Sequence, residues 1–289
     1  METLSFKFGT VGSPISTPKK PGGSVGAIQR SAELGLFGLE LGWVRSVRIS
    51  EDSCMEIRTA AVENHLAISV HAPYFINLNA DEEEWPKSRQ RLMDAAHYGH
   101  LAGATDIVFH PGSYFGRLPE EVLPLAIDRL AICVDELRAA GNPVILRPET
   151  MGKSAMLGSL EDTLRMSQAV PSVQPCLDVA HLHARPGDGT MNSFEEWARV
   201  LSTYAEALGD ESLRSLHIHI SGIEYGEKGE KEHLPLEESD LKLTAIMQAL
   251  SEFKCQGRML SESPVLEEDA LRCKQAWCEI SRESCGNSG

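Results

Sequence analysis

The sequence predicts an α/β fold, a single (β/α)8 barrel, from two repeating features. Eight short apolar runs recur about every 35 residues, and segments with helical spacing of apolar residues lie between them. Such alternation predicts parallel strands with right-handed crossovers, and eight units close into a barrel without a sheet edge. The predicted strands are residues 6–9, 38–41, 67–71, 106–110, 144–148, 174–178, 216–220 and 259–262. An open doubly wound sheet is the structural alternative.

The composition fits one large domain outside the membrane. The 289 residues are 42% hydrophobic, and barrels of roughly 250 residues fold as one unit. We therefore assign residues 1–289 to a single domain, since no linker or composition shift divides them. No apolar run approaches the roughly 18 residues of a membrane span, and the first residues lack a signal-peptide pattern. With seven scattered cysteines, we expect a cytoplasmic protein with reduced thiols, no membrane contact and no obligate protein partner.

The net charge of −15 argues against general binding to nucleic-acid backbones, which requires a local surplus of lysine and arginine. It does not exclude a basic groove. Part of the negative charge would be neutralised if inward-facing carboxylates hold cations.

Possible metal ligands stand at the ends of six consecutive predicted strands, where barrel enzymes place their chemistry. These are His71, His110, Glu149, Asp178, the His217-Ile218-His219 segment and Glu262, joined by His181 and by His233 in the loop after strand seven. Imidazole and carboxylate without thiolate suit Zn²⁺, with Mn²⁺ as the alternative. The set is too large for one ion and fits two or three, and Glu149 is central enough to bridge them.

Six motifs around these residues resemble the endonuclease IV family of abasic-site (AP) endonucleases, AP endonuclease family 2, within the xylose isomerase-like TIM barrels. They occur in the family's order and cover most of the chain. The motifs are Ser69-Val-His-Ala-Pro-Tyr-Phe-Ile-Asn-Leu78, Val108-Phe-His-Pro-Gly-Ser113, Pro148-Glu-Thr-Met-Gly-Lys153, Cys176-Leu-Asp-Val-Ala-His181, Leu216-His217 and Ser261-Glu-Ser-Pro264.

The resemblance implies one metal ion held by His71, His110 and Glu149. It implies a second ion held by the set Glu149, Asp178, His217 and Glu262, with Glu149 bridging the two. It further implies a metal-dependent zinc hydrolase that cuts damaged double-stranded DNA 5′ to abasic sites in base excision repair, with Glu149, Asp178 and Glu262 as the catalytic residues.

A third ion in that family is held by a histidine matching His181 and by an Asp-x-His pair. Here the pair reads Lys231-Glu232-His233. The third site therefore lacks a carboxylate unless Glu227, Glu230 or Glu232 supplies one, and without the ion Lys231 or Lys153 would stabilise the leaving oxygen. Residues 221–238 form the longest stretch without a strand or helix pattern, and we expect an irregular loop that covers the site.

The DNA-facing residues implied by the resemblance are Tyr74, with Phe75 beside it, and Arg45 in the loop after strand two. Tyr74 and Phe75 would stack where a base is missing. Ordinary packing at the rim is the structural alternative.

Two other functions remain open from the sequence. A sugar or polyol isomerase or epimerase of the same superfamily would use one metal ion with Glu149 and Glu262 as acid and base. That reading leaves His71, His110, His181 and His233 without a purpose. A metal protein that binds nucleic acid or a partner without cleavage is the third possibility.

Overall fold

Eight parallel strands form a ring in the computed structural model, which describes residues 5–286. The strands within these residues are β1 Phe6–Val11, β2 Gly38–Gly42, β3 Ala67–His71, β4 Asp106–Phe109, β5 Ile145–Pro148, β6 Cys176–Asp178, β7 Leu216–Ile220, β8 Gly222–Gly226, β9 Gly229–Leu234 and β10 Gly257–Ser261. Around the ring the order is β5-β4-β3-β2-β1-β10-β7-β6, and β8 and β9 pair separately as an antiparallel hairpin. The predicted (β/α)8 barrel is confirmed.

The ring closes between β5 and β6 through isolated bridges rather than a continuous ladder. Leu146 pairs with Val173, and Glu149 pairs with Cys176. The Thr150 amide also donates to the Cys176 carbonyl at 3.0 Å. This joint carries fewer backbone contacts than a regular strand pair.

Helices surround the ring and connect its strands. They are α1 Gly23–Glu33, α2 Glu51–Glu63, α3 Trp85–Leu101, α4 Pro119–Ala139, α5 Leu160–Ala169, α6 Val179–Ala184, α7 Phe194–Leu208, α8 Leu243–Glu252 and α9 Glu267–Gly286. Local sequence explains several starts: Ser159 and Ser193 form capping boxes with Asp162 and Glu196, and α4 begins at a proline. Over residues 5–286, no helix is long and apolar enough to cross a bilayer.

The apolar core lies between the strands and the helices, in two large clusters on opposite sides of the ring. The inside of the ring is instead rich in polar side chains. Glu40, Ser69, His217 and His219 are all completely buried there. Burial of ionisable groups at this density is costly unless they pair, so the ring interior is organised around a site.

The segment 221–238, expected to be an irregular loop, is instead mostly the β8–β9 hairpin. Glycine begins and ends β8 and begins β9, and Gly229 adopts φ +92° where the turn enters β9. A Cβ on Gly229 would lie 2.1 Å from the Gly152 carbonyl oxygen, so the hairpin rests against the loop after β5. The prediction of irregular structure was wrong because period-2 alternation is weak in so short and polar a segment.

Candidate metal centre

Glu149 lies at the centre of the upper end of the barrel, where the parallel strands have their carboxyl ends. It follows β5 directly, and its side chain is completely buried. Its Oε2 atom lies 3.2 Å from Nε2 of His71 and 3.4 Å from Nε2 of His110. One potential ligand atom from each of these three residues lies within 4.8 Å of the others. The structure therefore brings together the three residues predicted for the first ion.

A second group shares Glu149 and extends across the barrel. Potential ligand atoms of Glu149, Asp178, His219 and Glu262 all lie within 4.8 Å of one another. The Nδ1 atom of His219 lies 3.3 Å from Oε1 of Glu262 and 3.8 Å from Oε1 of Glu149. Glu149 thus faces both groups, as a bridging carboxylate requires.

The sequence prediction placed His217 in this second group, and the structure corrects it to His219. Both histidines point into the ring because alternate residues of a strand share a face, but they lie about 7 Å apart along β7. His217 sits one layer deeper, where its Nε2 atom hydrogen-bonds Oε2 of Glu40 at 2.9 Å. The motif Leu216-His217 was matched one inward-facing position too early.

A third group forms where α6 meets the hairpin. Potential ligand atoms of Asp178, His181 and His233 lie within 4.8 Å of one another, and the two Nε2 atoms of the histidines are 3.3 Å apart. The Nδ1 atom of His181 lies 2.9 Å from the Thr150 carbonyl oxygen and donates to it, so Nε2 faces the pocket. Both predicted histidines are therefore present at this position.

Glu230, not Lys231, faces the third group. Tyr225 pairs with Glu230 while Glu224 pairs with Glu232, so Lys231 is the extra residue of a β-bulge. The bulge places Oε2 of Glu230 3.5 Å from Nε2 of His181. Lys231 turns outward and pairs with Glu224 at 2.8 Å. The missing carboxylate of the Asp-x-His pattern has a nearby substitute one position earlier.

The two central carboxylates have opposite pKa shifts. Burial raises the pKa of Glu149, but His110, His181 and His219 outweigh burial and hold that pKa well below its usual range. Burial raises the pKa of Asp178 to about 6, and the adjacent Glu149 and Glu262 act in the same direction. Glu149 is therefore the firmly ionised member of the pair.

The imidazoles beside these carboxylates are strongly basic. Burial lowers the pKa of His71, but Glu149 outweighs it and raises the value to about 9. Burial also lowers the pKa of His181, but Asp178 and Glu149 together raise it to about 10. Without a cation the cluster therefore holds protons, and metal binding would release them.

The donor set fits divalent cations. Three buried atoms that face the centre have no hydrogen-bond partner, namely Oε1 of Glu149, Oδ2 of Asp178 and Nδ1 of His219. Buried polar atoms without partners are rare and need an explanation, and a cation is a direct one. The groups around Glu149 contain only nitrogen and oxygen donors, which suits zinc or manganese.

Aromatic side chains form the rim above the first group. The Tyr74 ring stacks on His110 with centroids 5.1 Å apart, and the Phe75 side chain is 64% exposed. The Tyr74 amide donates to the Val44 carbonyl at 2.9 Å, which ties this rim to the loop that carries the exposed Arg45. The three residues predicted to contact DNA therefore lie on neighbouring loops.

Sequence reasoning missed Glu40 and the role of His219, and it named Glu230 only as one of three possible substitutes in the third site. Glu40 had one signal, since it is a charged residue inside the apolar run 38–41. A charged residue within a buried strand is rare unless it is paired. Nothing in the sequence separated Glu230 from Glu227 and Glu232, because its position depends on a bulge.

Comparison with known proteins agrees with this architecture. A sequence model described as "Xylose isomerase-like TIM barrel" matches residues 28–279, and the chain belongs to that family. The Uncharacterized protein MJ0133 of Methanocaldococcus jannaschii is 35% identical over 274 residues, covering 94% of this chain and 97% of that protein. Endonuclease 4 of Thermus thermophilus is 30% identical over 207 residues, covering 69% and 72% of the two chains.

The fold alone does not distinguish the activities found on this barrel. The crystal structure of a D-tagatose 3-epimerase-like protein superimposes with a TM-score of 0.73 at 18% identity, covering 97% of this chain and 100% of that one. The relatives thus include a nuclease by sequence and an epimerase-like protein by structure. The residues of the site must decide between them.

Proposed function

We propose that this protein is a metal-dependent phosphodiesterase of the endonuclease IV type that incises DNA 5′ to abasic sites in base excision repair, in the cytoplasm. It would use two zinc ions, with manganese as the alternative. The observation that carries the proposal is the position of Glu149 between two complete ligand groups. A carboxylate shared between two such groups is the arrangement of a two-metal centre.

The histidines of the first group favour this activity over single-metal chemistry. Glu149, Asp178, His219 and Glu262 suffice to hold one ion. His71 and His110 converge on the far oxygen of Glu149 at 3.2 and 3.4 Å, where a single-ion enzyme needs no further ligand. Endonuclease 4 of Thermus thermophilus, a relative by sequence, supports the same choice.

The residues have separate parts in this chemistry. Paired divalent cations supply acidification of a water molecule and neutralisation of charge on the phosphate oxygens. Glu149 after β5 and Asp178 at the end of β6 would hold the ions. Glu262, which lines the pocket, would hold them from the pocket side. Tyr74 and Phe75 present exposed aromatic faces for stacking beside a missing base. Arg45, in the adjacent loop after β2, would contact a phosphate of the DNA backbone.

A third ion would be held by His181, His233 and Glu230. The Glu230 carboxylate takes the part of the aspartate that the Asp-x-His pattern normally supplies. Lys231 has no part in this site because its ammonium group pairs with Glu224 on the outer face of the hairpin.

The deciding experiment is incision of a duplex that carries one stable abasic analogue. Protein loaded with zinc or manganese is expected to cut 5′ to the lesion, and Glu149→Gln is expected to lower the rate by at least about 100-fold, since it weakens both ligand groups. A gel of the labelled strand measures the product. Protein that leaves the abasic strand intact both when loaded with zinc and when loaded with manganese would refute the nuclease activity.

One observation favours a second candidate, a sugar or polyol epimerase. The pocket above the centre is lined by His71, Tyr74, His110, His181, Glu230, Glu232, His233 and Glu262, and none of these described residues is lysine or arginine. A pocket lined by three glutamates and by no lysine or arginine suits a neutral ligand better than an anion. In that activity Glu149 and Glu262 would act as acid and base. Turnover of a ketohexose by protein that fails to cut abasic DNA would establish it.

A further inference from the structure

The most unusual buried group outside the ligand groups is the Glu40 carboxylate on β2. It is completely buried, and it reaches across the barrel interior to β7. Its Oε2 atom accepts from the Ser69 hydroxyl at 2.7 Å and lies 2.9 Å from Nε2 of His217. Its Oε1 atom lies 3.0 Å from Nε2 of His219. One carboxylate thus contacts both inward-facing histidines of β7.

Apolar packing does not explain why a carboxylate is buried at this position. An unpaired buried charge costs several kcal/mol, so its partners must favour the ionised form. Because Ser69 donates to it and two histidines lie beside it, Glu40 acts as an anion beneath the candidate metal centre.

The two nitrogens of His219 face different carboxylates. Nδ1 faces the second ligand group, 3.3 Å from Oε1 of Glu262, and Nε2 faces Glu40. The Nε2–H bond does not point straight at Oε1 of Glu40, so the contact is an ion pair rather than a linear hydrogen bond. Among the charged side chains within 4 Å, Glu40 is the one that faces Nε2.

We propose that Glu40 is a positioning residue that holds His219 with Nε2 protonated and Nδ1 free to bind the second cation. This rests on the two-metal centre of the proposed function. A carboxylate beside the second ring nitrogen of a metal-bound histidine favours the proton on that nitrogen and leaves the other nitrogen to the metal, and losing such a partner typically costs about 10- to 100-fold in metal affinity. Ser69 and His217 in turn hold Glu40 in place.

Metal binding tests the inference without a substrate. Zinc affinity of the full chain is measured by competition with a chromophoric chelator, for the wild type and for Glu40→Gln. The variant keeps the shape of the side chain but carries no negative charge beside the two histidines. We expect one of the zinc ions to bind about 10- to 100-fold more weakly and the other to stay.

Asp269→Asn is the matched control, because Asp269 is also a buried carboxylate but accepts from the Leu236 amide away from the centre. It is expected to leave both affinities unchanged. If Glu40→Gln does not fold, Glu40→Asp keeps the charge but is one methylene too short, and the same loss is expected. Affinities within about threefold of the wild type would overturn the role of Glu40.

The wild-type protein provides a second readout. Long-range ¹H–¹⁵N spectra of the zinc-loaded chain should show His219 bound through Nδ1 and protonated at Nε2. Zinc on Nε2, or no zinc uptake, would overturn the inference. Zinc binding that depends on Glu40 in a protein that leaves abasic DNA intact would uphold the inference and refute the nuclease activity.

Discussion

At the scale of single residues, the centre depends on which atom of each side chain faces inward. His217 and His219 are both completely buried and both point into the ring, yet their pKa values move in opposite directions. Burial lowers the pKa of His217 to about 4, since Glu40 does not compensate fully. In His219, Cys176, Glu262 and Glu40 outweigh burial and raise the pKa well above its usual value. Identical residue types two positions apart thus serve different purposes.

The sequence could not separate these two histidines. The spacing predicts that both face inward, but their depth depends on the register between β7 and β10, where His217 pairs with Arg258 and His219 with Leu260. Register is set by neighbouring strands distant in the chain. By contrast, His71, His110 and Glu149 could be predicted because each lies at or directly after a strand end.

Replacing His110 by alanine is expected to remove one bound cation and lower incision by at least about 100-fold. Removing a residue that only hydrogen-bonds a metal ligand typically lowers metal affinity or activity by about 10- to 100-fold. Removing a ligand itself should lower them at least as much. Atomic absorption gives the zinc content and the abasic duplex gives the rate. His97→Ala is the control, because His97 is exposed on α3. Full zinc content in the His110 variant would remove His110 from the ligand set.

At the scale of elements, the hairpin brings a carboxylate to the position where the Asp-x-His pattern lacks one. Its bulge at Lys231 brings Glu230 to the side of His181. The loop after β5 leaves room for this side chain, because a Cβ on Gly152 would lie 2.7 Å from Cβ of Glu230. A bulge cannot be predicted from residue spacing, because strand patterns assume that strictly alternate residues share a face. The structure of the hairpin was therefore needed to select Glu230 from the three candidate glutamates.

Glu230→Gln and Lys231→Met should differ although the residues are adjacent. The first removes the carboxylate beside His181, so incision is expected to fall about 10-fold, with loss of any third zinc ion. The second removes an exposed ion pair, and such pairs contribute little, so the rate should stay within about twofold. Equal losses in both variants would show that the hairpin acts through its position and not through Glu230.

At the scale of the whole molecule, the two ends of the barrel have different tasks. The end formed by the carboxyl ends of the strands holds the candidate metal centre, and the opposite end holds a buried ion-pair network. Asp106 on β4 lies 2.7 Å from Nε of Arg147 on β5 and 2.9 Å from Arg258 on β10. This separation of chemistry and stability is general in such barrels. Alternation of strand and helix was enough to predict the barrel, but these cross-barrel partners were not.

Asp106→Asn is expected to lower the free energy of unfolding by about 3–5 kcal/mol at pH 7, since it leaves two arginines without their buried partner. Burial raises the pKa of Asp106, but Arg147 and Arg258 outweigh it and hold that pKa below its usual range. The contribution is therefore complete above about pH 4 and is lost as the pH falls further.

Urea unfolding from pH 7 to pH 3 measures this difference, which should shrink on acidification. Asp128→Asn on the exposed face of α4 is the control, with an expected change within about 0.5 kcal/mol. A difference between wild type and Asp106→Asn that stays constant with pH would exclude the assigned ion pair.

Cations bound at the joint between β5 and β6 would also affect the stability of the fold. Glu149 follows one of these strands and Asp178 ends the other, at the place where the ring is closed by isolated bridges. Ions held by both residues would cross-link the ring at this joint and would do so only in the folded chain. Folding and metal uptake are then linked equilibria, and each decade of free metal above its dissociation constant adds about 1.4 kcal/mol to the folded state. The metal supply of the cell would set the lifetime of the protein as well as the rate of its chemistry.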